Sequence, residues 1–349
     1  MLRRLVAVVG AGLVLVVVVG APPAEAHTVT GVSPTDYRSE IIGVNPRLPG
    51  VSVRLLDLGN RVELVNRSAT DVVVLGYQGE PYLRIGPSGV FENRRSPSVA
   101  LNSVTANNSA PTTTLPPTPG VVPAPSWRRT GGGRSVRWRD RRARWASPAP
   151  AGVKAAPDQT QVVVPQWLIG LRQGTQDASV FGRITYVPSQ SPWPWIAVAV
   201  VLLGVTVAAG LLRRWGPALS AAVAVIIAVD VVHSFGIAAA THDAVLVQIG
   251  RVVLGGVVAT LGWIIGAVAI GPLQDEREGG VVAAAVAGFL LAAFSGIGDL
   301  ATLTKSQVPF VFSASAARAA VAVTMGTGFG LALAALLVFR RHPEIRATE

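Results

Sequence analysis

Cysteine is absent from this chain of 349 residues, and histidine occurs only four times. Without cysteine, no disulfide can support an exported domain, so such a domain must depend on core packing and should be well over about 70 residues long. A zinc site needs three or four nitrogen or sulfur ligands close together, and the sequence offers no such set. Disulfide scaffolds and structural zinc modules are therefore excluded.

Catalytic signatures are also missing. Only His27 among the first 192 residues could act as the base of a Ser-His-Asp triad, and no P-loop or glycine-rich dinucleotide loop follows a strand pattern. We therefore expect a protein that is not an enzyme and has no resident cofactor. Copper is the one metal to consider, because a mature N-terminal His27 would offer its amine and imidazole together. Residues 28–192 contain no further His, Cys or Met to complete that site.

Apolar residues, in contrast, are abundant: half of the chain is hydrophobic, and the mean hydropathy is +0.48. A membrane-spanning helix needs about 20 mostly apolar residues. Five stretches meet or approach that length, at 194–212, 217–237, 247–270, 281–297 and 316–339. We predict a five-helix transmembrane domain over residues 193–340 and a tail at 341–349.

The N-terminus is typical of an export signal. Arg3 and Arg4 precede an apolar run at 5–20, and the small residues Ala24 and Ala26 form a cleavage site, so residues 1–26 are predicted to be a signal peptide.

Basic residues near the spans predict the orientation, because Lys and Arg are enriched on the inner side of a membrane. Arg213 and Arg214 follow the first stretch, Arg277 follows the third, and two arginines follow the fifth. We therefore expect a multi-pass cell-membrane protein with its large domain extracytoplasmic and its C-terminus inside.

Residues 27–192 are predicted to form an all-β domain, an immunoglobulin-like sandwich. Short runs rich in β-branched residues alternate with turn residues between 51 and 91, and the runs at 161–164, 167–171 and 182–187 suggest further strands. The segment 103–126, rich in Thr, Pro, Asn and Ala, cannot bury enough apolar surface to offset its ordering entropy. It is predicted to be a disordered insertion.

Residues 127–145 contain eight arginines, three tryptophans and a single acidic residue. Outside the cell, nucleic acid is not an expected partner, and three interpretations remain open. The segment is structural, or it attracts anionic membrane lipid, or it binds an anionic or carbohydrate-bearing envelope component by tryptophan stacking and bidentate arginine contacts. The excess of 19 Lys and Arg over 10 Asp and Glu in residues 27–192 favours an anionic partner. The candidate binding residues are Trp127, Arg128, Arg129, Arg137, Trp138, Arg139, Arg141, Arg142, Arg144 and Trp145.

Two neighbouring strings, GEPYLRIGP at 79–87 and GVFENRRSP at 89–97, resemble uncharacterised actinobacterial membrane proteins with a signal peptide, a β ectodomain and a C-terminal helix bundle. The resemblance covers nearly the whole chain and implies no known activity. These proteins often contain a Trp-His-Asp-His-Arg-like string where this chain has WRDRR at 138–142, so a metal-binding role of those histidines is in doubt here. The plan is also loosely similar to copper-handling proteins that join a periplasmic sandwich to a membrane bundle.

An intramembrane polar cluster is predicted in the outer part of the spans, because ionisable side chains in a span are costly and are usually paired or functional. Asp230 and His233 share a helix face at i and i+3, and Arg251 lies at a similar depth on the next span. We predict an ion pair between Asp230 and Arg251 that joins the two spans. The alternative is an outward-facing polar pocket with His233, His242, Asp243, Asp299 and Arg318 around its mouth. Asp299 and Arg318 complete the cluster near its mouth.

Two functions compete. The first is a non-enzymatic envelope protein whose exported β domain binds or scaffolds a surface ligand or a membrane protein partner. The alternative is a transport-related or copper-handling protein whose bundle receives an ion or small solute from the ectodomain. Transporters usually have broken helices and several midplane polar groups, whereas the spans here are nearly bare apart from the outer polar cluster. The sequence therefore favours the first.

Overall fold

The computed structural model describes residues 32–103 and 124–346. The predicted signal peptide at 1–26, His27, most of the predicted insertion at 103–126 and the last three residues of the tail lie outside the described residues. The described chain divides into two compact units, a β-rich unit at Thr35–Ser189 and a helical unit from Gln190 onward that also includes residues 32–34.

The β-rich unit consists of two antiparallel sheets. Seven strands form the larger sheet in the order β1-β10-β9-β4-β5-β6-β7, and three form the smaller one in the order β2-β3-β8. The strands are β1 Tyr37–Asn45, β2 Val51–Leu56, β3 Arg61–Asn66, β4 Val72–Leu75, β5 Pro81–Gly86, β6 Gly89–Asn93, β7 Trp127–Gly131, β8 Ser135–Trp138, β9 Gln161–Gln173 and β10 Gln176–Tyr186. Two short helices, α1 Ser98–Leu101 and α2 Ala151–Ala155, lie between strands.

Residues of both sheets share one hydrophobic core. Leu64 of β3, Ile85 of β5 and Ile169 of β9 have no exposed surface within it, as the alternation of a half-buried strand requires. An immunoglobulin constant domain has four strands on one sheet and three on the other, whereas this unit has seven and three. The structure therefore supports the coarser prediction, a β-rich unit of antiparallel sheets, and its strand division differs from the immunoglobulin pattern.

Among its described residues, the helical unit contains five long apolar helices and several short ones. They are α3 Trp193–Ala209, α4 Trp215–Ala239, α5 Val245–Gly250, α6 Val257–Gln274, α7 Glu278–Leu290, α8 Ala301–Thr304 and α9 Ala314–Arg341. Two π-helical turns continue α5 and α7, at Arg251–Gly255 and Leu291–Gly296 respectively. A short 3-10 helix, Pro343–Arg346, follows α9.

In the part of the chain that the structure describes, four helical segments are long and apolar enough to cross a membrane: Trp215–Ala239, Val257–Gln274, Glu278–Gly296 and Ala314–Arg341. They correspond to the second to fifth predicted spans. The first predicted span is the apolar helix α3, which has only 17 residues. Its crossing of the membrane therefore stays a prediction.

Glycines allow α9 to pack closely against its neighbours. A Cβ on Gly328 would collide with the carbonyl oxygen of Gly288 on α7, and a Cβ on Gly326 would collide with the carbonyl of Ala199 on α3. Small residues at such crossings let two backbones approach closely, which is how helices associate in a lipid environment.

At one end of the helical unit, the end of α9 contacts the connection between α3 and α4 and the start of α4. Arg341 donates a hydrogen bond to the carbonyl of Leu211 at 2.9 Å, and the rings of Trp215 and His342 lie 6.1 Å apart. The arginines that the sequence analysis assigned to the inner side, at 213, 214, 340 and 341, flank these contacts.

Candidate functional site

The carboxylate of Asp230 is the most deeply buried charged group of the helical unit, with no exposed surface in α4. The indole Nε1 of Trp263 donates a hydrogen bond to its Oδ2 at 2.8 Å, and the Ser295 hydroxyl donates to the same oxygen at 3.3 Å. The other oxygen, Oδ1, has no hydrogen-bond partner among the described residues. One half of this buried carboxylate is therefore satisfied and the other half is open.

His233 lies one turn further along α4 and is only 3 % exposed. Its Nε2 lies 3.0 Å from Oδ2 of Asp299, and its ring packs against that of Phe310 at 5.5 Å. Its Nδ1, like Oδ1 of Asp230, is buried without a partner in the described chain. Two neighbouring buried side chains thus each keep one unused polar atom.

Both π-helical turns lie at this site. Ser295 belongs to the turn at Leu291–Gly296, and the turn at Arg251–Gly255 ends at Gly256, where φ is −98° and ψ is 37° before α6 begins. A π turn interrupts the regular α-helical hydrogen-bond pattern and occurs frequently at functional sites. The predicted third span is therefore not one continuous helix.

A cavity of about 320 Å³ lies beside the two buried groups. Its wall includes Ser234 of α4, Val252 of the first π turn and Ala259 of α6. Ser295 and Asp299 also line it, and they are the hydrogen-bond partners of Asp230 and His233. These two residues therefore connect the cavity with the buried carboxylate and imidazole.

The predicted ion pair between Asp230 and Arg251 is wrong. Nη1 of Arg251 lies 2.5 Å from Oδ2 of Asp243 instead. Asp243 lies in the loop just before α5, and the arginine is only eight residues further along the chain. A local carboxylate reaches the guanidinium at lower entropic cost than a group on another helix.

Arg318 also has a role other than pairing with a carboxylate. It is 7 % exposed in α9 and donates hydrogen bonds to the carbonyls of Thr302 and Lys305, at 3.1 and 2.7 Å. Of the five predicted cluster residues, the structure thus brings Asp230, His233 and Asp299 together, while Arg251 and Arg318 fix adjoining segments.

Metal ligands do not converge in the described ranges, which contain no group of three His, Asp or Glu residues able to hold an ion. The proposed copper ligand His27 lies outside those ranges.

In the β-rich unit, much of the predicted arginine and tryptophan segment is structural. Trp138 is buried, and its Nε1 donates to Oδ2 of Asp140 at 3.0 Å. Arg142 binds the same carboxylate through Nε and Nη2, at 2.9 and 2.8 Å, and lies 4.7 Å from the ring centre of Tyr77. Burial, and then the charge of Asp140, raises the pKa of the Tyr77 phenol above its usual range. This arrangement anchors the segment to the core.

Other members of the segment also have partners. Arg137 pairs with Glu63 at 2.7 Å and Arg144 with the amide oxygen of Asn60 at 2.9 Å. Trp145 packs against Tyr37 with ring centres 5.6 Å apart. These contacts join β8 and the turn that follows it to β1, to β3 and to the residue before β3.

The outer strand β7 contains the more accessible members. Arg128 is exposed and pairs with Glu92 at 2.7 Å, Arg129 is exposed, and the Trp127 ring lies 5.0 Å from the guanidinium of Arg84. The remaining two, Arg139 and Arg141, are partly buried around Asp140. The predicted ten residues thus lie in the outer strand β7, in β8 and in the turn that follows β8.

Trp263, Ser295 and Phe310 were missed by sequence reasoning. Trp263 lies in the middle of a predicted span, whereas tryptophan is usually enriched at membrane interfaces. That unusual depth is the one sequence signal that could have indicated a polar partner for its indole. Ser295 and Phe310 carry no comparable signal.

Comparison with protein-family models, with curated proteins and with solved structures finds no match for this chain. Function must therefore be argued from the site itself.

Proposed function

We propose that the protein is a multi-pass cell-membrane protein with a transport-related role, whose helical unit binds a small solute or ion beside Asp230 and His233. The observation that carries the proposal is the coincidence of two π-helical turns, a buried carboxylate–imidazole pair and a cavity. The sequence favours the scaffold function because the spans are nearly bare apart from the outer polar cluster. The interrupted helices and the cavity at that cluster favour transport instead.

The free-energy cost of placing ionisable groups in a membrane span supports a functional role for Asp230 and His233. An ionisable group at a span centre costs about 2.5–3.5 kcal/mol on insertion scales, and such groups mark ion pathways and proton relays in many membrane proteins. The cavity is near the lower end of the range of about 300–1,000 Å³ that is typical of small-molecule sites. A small ion or solute fits that space better than a macromolecule.

The orientation is part of the proposal. We place the β-rich unit outside the cytoplasm, with α3 as a fifth span and the arginine-rich end of the helical unit inside, as the positive-inside rule requires. The cavity then lies in the outer half of the membrane, because Asp230 is closer to the C-terminal end of α4 than to its arginine-flanked start.

A second candidate function is supported by strand β7. The exported unit would bind an anionic envelope component, anionic lipid or a membrane protein partner without catalysing a reaction. Exposed Arg129 at the edge of the larger sheet supports this, together with the charge excess of the unit. Both functions can belong to one chain.

Thiol labelling tests the proposed site, since the natural chain contains no cysteine. Ser234→Cys and Ala259→Cys line the cavity. Ser220→Cys and Ala269→Cys are matched controls, because those residues are buried on the same two helices, α4 and α6, away from the cavity.

With the full chain in liposomes, a small charged thiol reagent should modify the two cavity variants and leave the two controls unmodified. Protection in all four variants would contradict a solute-accessible cavity and with it the proposed function.

A further inference from the structure

We infer that the ligand of the helical unit is a proton, which is held on Oδ1 of Asp230 and exchanged with the cavity through His233 and Asp299. This inference rests on the proposed function and specifies its ligand. It starts from the two buried polar atoms that have no partner in the described chain, Asp230 Oδ1 and His233 Nδ1.

The hydrogen bonds around Asp230 suit a carboxyl group that gains and loses one proton. Trp263 and Ser295 both donate to Oδ2, so that oxygen remains an acceptor in either state. Oδ1 is open and can carry the hydrogen. Protonation there removes a charge from a site without exposed surface, which relieves the cost of burying an ionised carboxylate.

The two arginines of this region already have other partners, so neither neutralises the Asp230 carboxylate. Arg251 is bound to Asp243 on the neighbouring loop. Arg318 of α9 is directed to the carbonyls of Thr302 and Lys305. The titratable groups near Asp230 are therefore His233 on its own helix and Asp299 beyond the second π turn.

The relay can be written with balanced protons. Asp299 lines the cavity, where its carboxylate takes a proton from a hydronium ion and leaves a water molecule. Its O–H bond breaks as an N–H bond forms at Nε2 of His233, 3.0 Å away, which gives an imidazolium and a carboxylate.

The second transfer delivers the proton to the buried site. The N–H bond at Nδ1 of His233 breaks and an O–H bond forms at Oδ1 of Asp230, which leaves a neutral imidazole and a neutral carboxyl. Side chains at i and i+3 of a helix share a face, with Cβ atoms about 5–6 Å apart, and the two atoms without a partner belong to such a pair. Release follows the reverse order.

A proton fits this geometry better than the alternatives. Asp230 and His233 do not themselves line the cavity, so a bulky solute there would touch their partners Ser295 and Asp299 but neither buried group. The described residues also lack a third ligand for a metal ion. A proton needs a single acceptor atom, and the site has one on each of the two buried side chains.

Infrared difference spectroscopy of the full chain in lipid nanodiscs tests the binding step. Lowering the pH should produce the C=O stretching band of a protonated, buried carboxyl group. Asp230→Asn should abolish that band, and the amide can still accept the hydrogen bond from Trp263. Asp275→Asn is the matched control, because Asp275 is 57 % exposed beside Arg277, and it should retain the band.

Rapid-mixing measurements with a pH dye test the relay. His233→Gln and Asp299→Asn should each slow proton uptake by about tenfold or more, as loss of a positioned acid–base group does, while the Asp230 band is still reached at equilibrium. An unchanged band in Asp230→Asn, or an unchanged uptake rate in both relay variants, would overturn the inference.

The two proposals can fail separately. If Ser234→Cys reacts with the thiol reagent but Asp230 gives no band, the proton inference fails and a solute site remains. If the band is present but the cavity variants are protected, Asp230 binds a proton and the solute-accessible site is wrong.

Discussion

Nε2 of His233 lies 3.0 Å from Oδ2 of Asp299, and this contact joins a buried residue to an accessible one. The histidine is 3 % exposed, whereas the Asp299 side chain is 20 % exposed and lines the cavity. A contact between a buried and an accessible titratable group is what proton access to a buried site requires. The same α4 face holds Asp230, so the pair links the cavity with the carboxylate in the span.

The first prediction concerns the ion pair that does form. In a double-mutant cycle, Asp243→Asn and Arg251→Gln should show a coupling free energy of about 0.2–1 kcal/mol, the range of partly exposed pairs. Asp230→Asn combined with Arg251→Gln should be additive, because the two side chains have different partners. Thermal unfolding of the detergent-solubilised chain measures both. Strong coupling in the second cycle would restore the ion pair predicted from sequence.

The second prediction concerns Glu63 in the β-rich unit. Burial acts to raise its pKa, but the hydrogen bonds from Arg54 and Arg137 outweigh it and hold the pKa of Glu63 below its usual value. The ionised form of Glu63 therefore stabilises the folded state relative to the unfolded state. Its stabilisation is present above the unfolded pKa of about 4.3 and is lost as the pH falls through the lower, folded value.

At neutral pH, Glu63→Gln should cost about 2 kcal/mol of unfolding free energy, and the difference from the natural chain should vanish in acid. Hydrogen exchange of peptides that span β3 provides the measurement. Glu40→Gln, at an exposed pair with Arg183, should cost no more than about 1 kcal/mol. Equal losses for the two variants at neutral pH would contradict the assignment.

The third prediction separates the exposed and structural arginines of residues 127–145. Arg142→Lys should lower the free energy of unfolding by about 2 kcal/mol, because it removes a bidentate contact with buried Asp140. Arg129→Ala should leave stability unchanged but weaken binding to anionic vesicles at low salt by about 1 kcal/mol, about fivefold.

Vesicle flotation with the full chain in neutral-lipid nanodiscs measures the binding. Added salt should release the anionic vesicles because it shortens the screening length. Equal binding to neutral vesicles would remove the electrostatic explanation.

Much of the helical unit could be predicted from hydropathy. The predicted span at 316–339 matches α9, Ala314–Arg341, within two residues at each end, and Ser313 caps its start by accepting a hydrogen bond from the backbone N of Ala316. Long apolar runs predict a helix with little dependence on the rest of the fold. The break before Gly256 could not be predicted this way, because a π turn leaves the apolar composition of a span unchanged.

For the strands, too, the local apolar runs could be predicted, but their pairing could not. The predicted runs at 161–164 and 167–171 belong to one strand, β9, which passes through Pro165. Its pairing with β10 shifts register between Gly182 and Ile184, opposite this proline. Proline lacks an N–H and is tolerated in a strand at such an irregularity. Local patterning placed the apolar runs correctly, but only the partner strand decides that they are continuous.

At the candidate site, sequence spacing brought Asp230 and His233 together, because i and i+3 share a helix face. It could not predict the indole of Trp263, which is 33 residues from Asp230, or the hydroxyl of Ser295, which is 65 residues away. Such partners depend on how helices pack, and a single sequence does not specify helix packing.

Proton uptake by the reconstituted full chain tests the central claim most directly. With the chain in lipid nanodiscs, a pH dye in weakly buffered solution reports how many protons each chain takes up as the pH is lowered. We predict one proton more per chain in the natural chain and in Ser220→Ala than in Asp230→Asn. Equal uptake by Asp230→Asn and the natural chain would contradict the account.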